Sequence, residues 1–391
     1  MPPSTSYRIA SIDILRGIVM IIMALDHTRD FFHSTAMIAD PLDPGTTTTA
    51  IFFTRWITHF CAPVFVMLSG VSAYLSSQNK SDSEACLFLI KRGFWLIVVE
   101  ITLVTLGLTF NPFFNFIILQ VIWAIGWSMV ILGLLRRFSF YAVLITGVIL
   151  FAGHNAVDYA ILPDKGTAAY LWPVLLTSRG AVFSLNSNHF VGAFYAILPW
   201  TGIILLGYCM GAWFKKDFSP ERRKRLLMIT GSSLFVLFIV LRLLKGYGDP
   251  GVFSTDKNTL FSFLNTSKYP PSLQYAGMTL GPALIILALL ENIQSGFTKV
   301  VSVYGRVPFF YYILHFYILH SLLVVVFFVS GHNASQISDP NVPFLFRPVH
   351  FGYGLAIVYI ILLSVVAILY LPCRWFNNYK MQHHYWWLRY L

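Results

Sequence analysis

The chain alternates long apolar runs with short polar connections. Runs long enough to span a bilayer occupy roughly 9–31, 51–76, 91–110, 112–135, 138–155, 191–214, 226–244, 273–291, 307–330 and 351–372. A helix of about 20 residues crosses the hydrocarbon core, so the pattern predicts an all-α, polytopic membrane helix bundle with about ten transmembrane helices. The third and fourth runs are parted only by Asn111 and Pro112, a helix-breaking dipeptide that predicts a tight turn at the membrane surface.

The alternation of loop charge orients this bundle. With both the N- and C-termini cytoplasmic, most of the 27 lysines and arginines fall on the inner side, from Arg8 and Arg16 through "KKDFSPERRKR" to Arg374, Lys380 and Arg389. The long connections near 32–50, 156–190 and 245–272, and a shorter one at 331–350, then face outward. No soluble domain, repeat or low-complexity linker interrupts the series, so residues 1–391 read as one transmembrane domain. The terminal "KMQHHYWWLRYL" mixes aromatic and basic residues and reads as an interfacial anchor.

Composition agrees with this reading. The residues are 57% hydrophobic and only 11% charged, which excludes an ordinary soluble domain. The net charge of +11 does not indicate nucleic acid, because the basic residues are strung between apolar segments and form no patch. Cys61, Cys86, Cys209 and Cys373 show no CxxC spacing, so neither a disulfide framework nor a metal site is indicated. The opening stretch reads as a retained first helix, because "DHTRDFFHS" follows its apolar run where a signal peptide would carry small residues.

That stretch, "RIASIDILRGIVMIIMALDHTRDFFHS", surrounds an apolar run with Asp13 and Arg16 on one side and Asp26, His27, Arg29, Asp30 and His33 on the other. At 1.5 Å per residue, His27 lies about 28 Å above Arg8, near the outer boundary. Asp30, one turn on, is placed to fix the tautomer of His27 and raise its basicity. Charged residues at helix ends often mark only the water boundary. Asp26 and His27, directly behind "IVMIIMAL", point instead to a site, since intramembrane ionisable groups are costly.

The second helix adds Arg55 and His59, four residues apart and so on one helical face. The ninth adds His315 and His320, with Tyr311 and Tyr312 beside the former. A lone histidine in an apolar helix is usually a packing residue, but three helices each supply one or two. No HExxH pair or accompanying cysteine set supports a metal. A histidine is suited to removing a proton from a hydroxyl or amine as it attacks a thioester, and the same inventory would serve proton-coupled transport.

The order "SIDILRGIVMIIMALDHTRDFF", "HFCAPVFVMLSGVSAYL", "VIWAIGWSMVILGLL", "ILPWTGIILLGYCMGAWF", "KYPPSLQYAGMTLGPAL" and "YGRVPFFYYILHFYILH" resembles bacterial members of the heparan-α-glucosaminide N-acetyltransferase-like family, within a broader superfamily of transmembrane acyltransferases. The resemblance covers almost the whole chain. It implies a cytoplasmic acyl-CoA donor, acetyl-CoA in the first instance, a sugar amine or hydroxyl acceptor at the outer face, and a histidine at the reaction centre. In related sugar O-acyltransferases, Asp-x-x-Arg-Gly is followed ten residues after the glycine by a functional histidine. Asp13, Arg16, Gly17 and His27 fit that register.

His27 is therefore the expected general base, with Asp26 or Asp30 orienting it and His315 as a second catalytic candidate. Arg16, Asp13 and Arg306 are the donor-side candidates; an Asp13–Arg16 pair that only neutralises itself is the alternative. Arg55, His59, Lys268, Tyr269 and His33 are the acceptor-side candidates, His33 being the nearest outer histidine to where the lysosomal heparan enzymes carry theirs. Gly207 and Gly211, four apart, suit close helix packing. The resulting expectation is a multi-pass acyltransferase of a bacterial inner membrane acting on a cell-envelope glycan, with a homodimer compatible with it. The rival is a proton-coupled transporter or flippase of a small anionic or lipid-linked solute, which discontinuous helices in matching halves would favour.

Overall fold

The computed structural model describes residues 9–160, 163, 165–249, 251, 259–383 and 385–389. Arg8 of the inner charge set and His384, Tyr390 and Leu391 of the expected anchor lie outside the described residues. In chain order the elements are α1 (Ala10–Phe32), α2 (Thr49–Thr58), α3 (Cys61–Ser77), α4 (Asp82–Val99), a π-helical turn (Glu100–Val104), α5 (Thr105–Thr109), β1 (Phe116–Leu119), α6 (Val121–Arg136) and α7 (Phe140–Gly153). There follow α8 (Gly166–Trp172), β2 (Val182–Asn186), β3 (His189–Ala193), α9 (Ile197–Met210), α10 (Pro220–Leu243), α11 (Thr259–Leu264), α12 (Leu273–Leu289), α13 (Gly296–Arg306), α14 (Pro308–Val329) and α15 (Leu355–Gln382).

Seven helical stretches among the described residues are long and apolar enough to cross a membrane: Thr49–Ser77, Phe140–Tyr159, Ile197–Phe214, Pro220–Leu243, Leu273–Asn292, Pro308–Val329 and Leu355–Gln382. The chain is a mainly helical, multi-pass membrane protein. The other three predicted spans differ from these in kind. α1 is long but carries Asp13, Arg16, Asp26, Arg29 and Asp30; α4 passes through the π turn into α5; α6 has only 16 residues.

α1 occupies the centre, packed by α2, α3, α12, α13, α14 and α15. Small residues set its depth. A β-carbon on Gly305 of α13 would lie 1.8 Å from the Asp13 carbonyl oxygen, so the two backbones touch. α3 meets α9 in the same way, a β-carbon on Gly207 falling 2.3 Å from the Met67 carbonyl oxygen, which accounts for the small residue predicted there. α7, α10 and α15 lie at the periphery and turn large apolar side chains such as Ile149, Val236 and Leu363 outward, as a lipid surrounding favours.

Two boundaries depart from the predicted pattern. The fourth run, expected as a helix over 112–135, begins as β1 and becomes helical only at Val121; the sixth, expected from 191, begins as β3 and becomes helical at Ile197. β1 pairs in parallel with β3, and β2 pairs antiparallel with it, in a three-stranded sheet. The apolar strands read as helix because a short buried strand and a helix segment share the same hydrophobic run. An Asn-Ser-Asn turn between β2 and β3 was the available signal.

The second predicted span is broken at its centre. Pro63 has no N–H to give to the carbonyl four residues back, and that carbonyl, on His59, instead accepts a hydrogen bond of 2.7 Å from the Tyr275 hydroxyl. α2 and α3 still form one helical stretch, and α2 packs against α1.

Candidate functional site

Two cavities are stacked along α1, α3 and α6, and they are called outer and inner after the orientation expected from loop charge, the outer lying by the C-terminal end of α1 and the inner by its N-terminal end. The outer one, of about 190 Å³, is lined by Asp26, His27, Arg29 and Asp30 from α1, Arg55 from α2, Cys61 and Phe65 from α3, and Lys268, Tyr269, Tyr195 and Tyr312. The inner one, of about 200 Å³, is lined by Arg16, Ser69, Ser72, Arg92, Arg306 and Lys380 on a floor of Phe65, Ile122 and Phe309.

In the outer cavity Asp26 is the electrostatic anchor. Nη1 of Arg55 donates to both of its carboxylate oxygens, at 2.9 and 2.8 Å, and to the Thr58 hydroxyl at 2.9 Å. Arg29 adds a longer bond to Asp26, 3.4 Å, and a short one to Asp30, 2.6 Å. The carboxylate of Asp26 thus turns to two guanidinium groups and away from the neighbouring imidazole. Of the two expected orienting groups, Asp30 lies nearer to His27, with Oδ2 3.9 Å from Nδ1. That is ion-pair range but too long for a hydrogen bond, so His27 presents its ring to the cavity without a strong tether. Lys268 sits over the faces of Tyr269 and Tyr195, 5.1 and 5.9 Å from their ring centroids.

His315 is fully buried behind His27, and their ring centroids lie 5.3 Å apart. Its Nδ1 is held by the Tyr312 carbonyl. Because a carbonyl only accepts, Nδ1 carries the proton and Nε2 is left as the basic nitrogen. Nε2 has no partner among the described residues.

The remaining acceptor-side candidates separate. Arg55, Lys268 and Tyr269 line the outer cavity; His59 and His33 do not. His59 is buried, edge-on against Tyr275. His33 caps the end of α1, its ring against the Thr35 hydroxyl at 3.0 Å, while its carbonyl accepts 2.7 Å from Arg347. Burial, with Arg29 and Arg347 nearby, holds the His33 imidazole below its ordinary pKa. His320 is stacked on Phe110, with a bond of 2.9 Å to the Leu345 carbonyl, a packing role.

Of the donor-side candidates, Arg16 and Arg306 line the inner cavity and Asp13 stands beside them without lining it. Asp13 stands 3.7 Å from both Arg16 and Arg306, and Arg16 also donates to Ser72 at 2.8 Å and to the Gly305 carbonyl at 3.2 Å. Arg92 joins them with no carboxylate within ion-pair distance among the described residues. Three arginines and a lysine against one aspartate fit a polyanion such as the phosphates of a nucleotide carrier.

Sequence reading passed over several of these groups. Arg92 stands at the start of the third apolar run, where a charge ordinarily marks only the water boundary. Glu100, fully buried in the π turn, carried the signal of a single carboxylate in an apolar stretch; its Oε1 accepts from the Gln120 N–H at 2.6 Å. Gln120 and Tyr195 reach the outer cavity one and two residues beyond the Leu119–Ala193 pair that ends the ladder of β1 and β3. Among the described residues no cluster of three or more histidine, cysteine or acidic side chains is arranged to hold a metal ion.

Residues 8–241 match the family described as heparan-alpha-glucosaminide N-acetyltransferase, catalytic. The matched stretch holds His27, Arg55, Phe65 and Arg92, and ends before Lys268, Arg306 and His315. No curated protein matches the chain.

Proposed function

This chain belongs to the heparan-alpha-glucosaminide N-acetyltransferase catalytic family, and from that premise we propose that it is a membrane acyltransferase moving an acetyl group from acyl-CoA in the inner cavity to a sugar amine or hydroxyl in the outer one. The observation that carries this reading is the stacking of an arginine-rich chamber beneath a histidine-bearing chamber on the same three helices.

In this scheme Arg16, Arg92, Arg306 and Lys380 receive the phosphates of the donor, and its thioester points toward His27. The acceptor nitrogen or oxygen attacks the thioester carbonyl carbon while His27 takes the acceptor's proton. The new C–N or C–O bond forms as the C–S bond breaks, and the departing thiolate takes up a proton to leave as CoA. Asp30 supports the imidazolium that forms; Asp26, held by Arg55 and Arg29, keeps the chamber's cations fixed. His315, with a basic Nε2 beside the pair, stands ready to pass the proton on. In the orientation expected from loop charge, with the N-terminus cytoplasmic, the arginine chamber opens on the donor side, which suits an enzyme that modifies a glycan outside a bacterial inner membrane.

The test uses the full-length protein in nanodiscs with acetyl-CoA, following free CoA with and without glucosamine and its methyl glycoside. Acceptor-dependent release that disappears in His27→Ala supports the scheme. No release with any acceptor overturns it and calls for a proton-coupled flux assay in liposomes.

A further inference from the structure

The walls of the two cavities are continuous. On α3, Cys61, Phe65, Ser69 and Ser72 follow at the spacing that keeps side chains on one helical face. Cys61 lines only the outer cavity, Ser69 and Ser72 line only the inner one, and Phe65 lines both. α6 divides in the same order, with Val121 facing the outer cavity and Ile122, Ile125 and Met129 the inner. α1 does likewise, Arg16 below and Met20 and Met23 above. Where the chambers meet, the facing side chains are apolar, and a half-buried phenyl ring stands in the wall of each.

We propose that Phe65 is the partition between the donor and acceptor chambers and that its ring sets the length of the acyl group that passes. The inference rests on the acyl-transfer reading above. An acetyl group brings a single methyl past the thioester carbonyl. Every further methylene needs space that the ring occupies, and a well-packed apolar wall penalises each added carbon. In the transfer itself the C–S bond breaks, the acceptor's C–N or C–O bond forms, His27 takes the acceptor's proton and the CoA sulfur gains one. Phe65 shares in none of these bonds, so it is a specificity-determining residue and not a catalytic one.

The experiment offers acetyl-, propionyl-, butyryl- and hexanoyl-CoA to the full-length protein, with glucosamine as acceptor, in wild type, Phe65→Leu and Phe65→Ala. In Phe65→Ala the ratio of kcat/KM for butyryl-CoA to that for acetyl-CoA rises by roughly tenfold or more, the low end of what a methylene is worth in an apolar pocket, with Phe65→Leu between. An unchanged ratio in variants that still use acetyl-CoA overturns the proposal.

A second measurement needs no turnover. In protein whose other cysteines are replaced (Cys86→Ala, Cys209→Ala, Cys373→Ala), a membrane-impermeant thiol reagent is applied at the face where Arg16 and Arg92 open. Cys61, above the ring, is protected with Phe65 present and labelled in Phe65→Ala. Equal labelling in the two overturns the partition. If wild type transfers no acyl group from any donor, the acyl-transfer reading fails, while Cys61 labelling still decides whether Phe65 separates the chambers.

Discussion

The imidazoles of His27 and His315, one on α1 and one on α14, stand with ring centroids 5.3 Å apart and planes inclined at 45°. Phe316 packs against both, at 4.5 Å from His27 and 4.2 Å from His315, so the pair is walled on one side by hydrocarbon. His315 is tied down through Nδ1, whereas the ion-pair contact of His27 among the described residues is the 3.9 Å approach of Asp30. The ring that lines the cavity is His27, and the more deeply buried His315 backs it.

That asymmetry sets the first expectation. His27→Ala and His27→Gln both lower acceptor-dependent CoA release by about 10²–10⁴-fold, the usual worth of a general base. Glutamine keeps size and polarity but takes no proton, so equal losses in the two variants identify proton removal. Recovery of activity in His27→Gln would assign the ring to packing.

The Asp26–Arg55 pair predicts strong coupling. Removing either partner alone, by Asp26→Asn or Arg55→Met, leaves a charge in a mostly enclosed cavity and costs about 3–5 kcal/mol. The double variant costs less than the sum of the singles. Thermal unfolding in one detergent, completed as a double-mutant cycle, measures this; additive losses would mean that the two side chains act independently.

Arg92 is expected to separate stability from binding. As a guanidinium with no carboxylate at ion-pair distance among the described residues, it carries a desolvation cost that no such pair offsets, so Arg92→Met leaves the melting temperature unchanged or higher. The same change raises KM for acetyl-CoA, with kcat little altered, because a phosphate contact remote from the reacting carbon binds ground and transition states alike. Steady-state kinetics beside a thermal scan test both halves.

Gly305 tests the seating of the central helix. With a β-carbon 1.8 Å from the Asp13 carbonyl oxygen, Gly305→Ala forces α13 away from α1 at a cost of about 1–3 kcal/mol. It also disturbs the Arg16 bond to the Gly305 carbonyl. Lower thermal stability together with a raised KM for acetyl-CoA is the expected result.

His33 gives a pH dependence of stability. Its folded-state pKa lies below the ordinary value of 6.5, so the unfolded chain takes up a proton first as pH falls. The contribution is complete above about pH 6.5 and is lost as the pH drops through the folded value. Thermal scans of wild type from pH 7.5 to 5 therefore show a steeper decline than those of His33→Gln; parallel curves would remove His33 as the cause.

The sequence made the bundle legible because span-length apolar runs admit few alternatives, and it brought forward His27, Arg55 and Lys268 because ionisable groups beside such runs are conspicuous. Asp13 stands within ion-pair distance of both Arg16 and Arg306 because the start of α1 and the end of α13, which carry them, pack on one another. What it hid were contacts made across the chain. Nothing near Arg347 in sequence shows that its guanidinium reaches the carbonyls of Asp30 and His33, at 3.3 and 2.7 Å, and closes the end of α1. Nothing near Phe65 marks it from the other phenylalanines, because its position depends on cavities built by three helices. The strands escaped notice because four apolar residues bear no period long enough to separate strand from helix.

The face that α3 turns to both chambers makes that helix a gauge with two readings. Its azimuth is fixed where Gly70 and Gly207 let its backbone touch α9. Each residue advances a helix by about 100°, so adding or deleting one between Cys61 and Ser69 would swing one wall out of alignment while leaving the other in place. A stretch of plain apolar letters, "APVFVML", therefore tolerates exchange of side chains far better than a change of length.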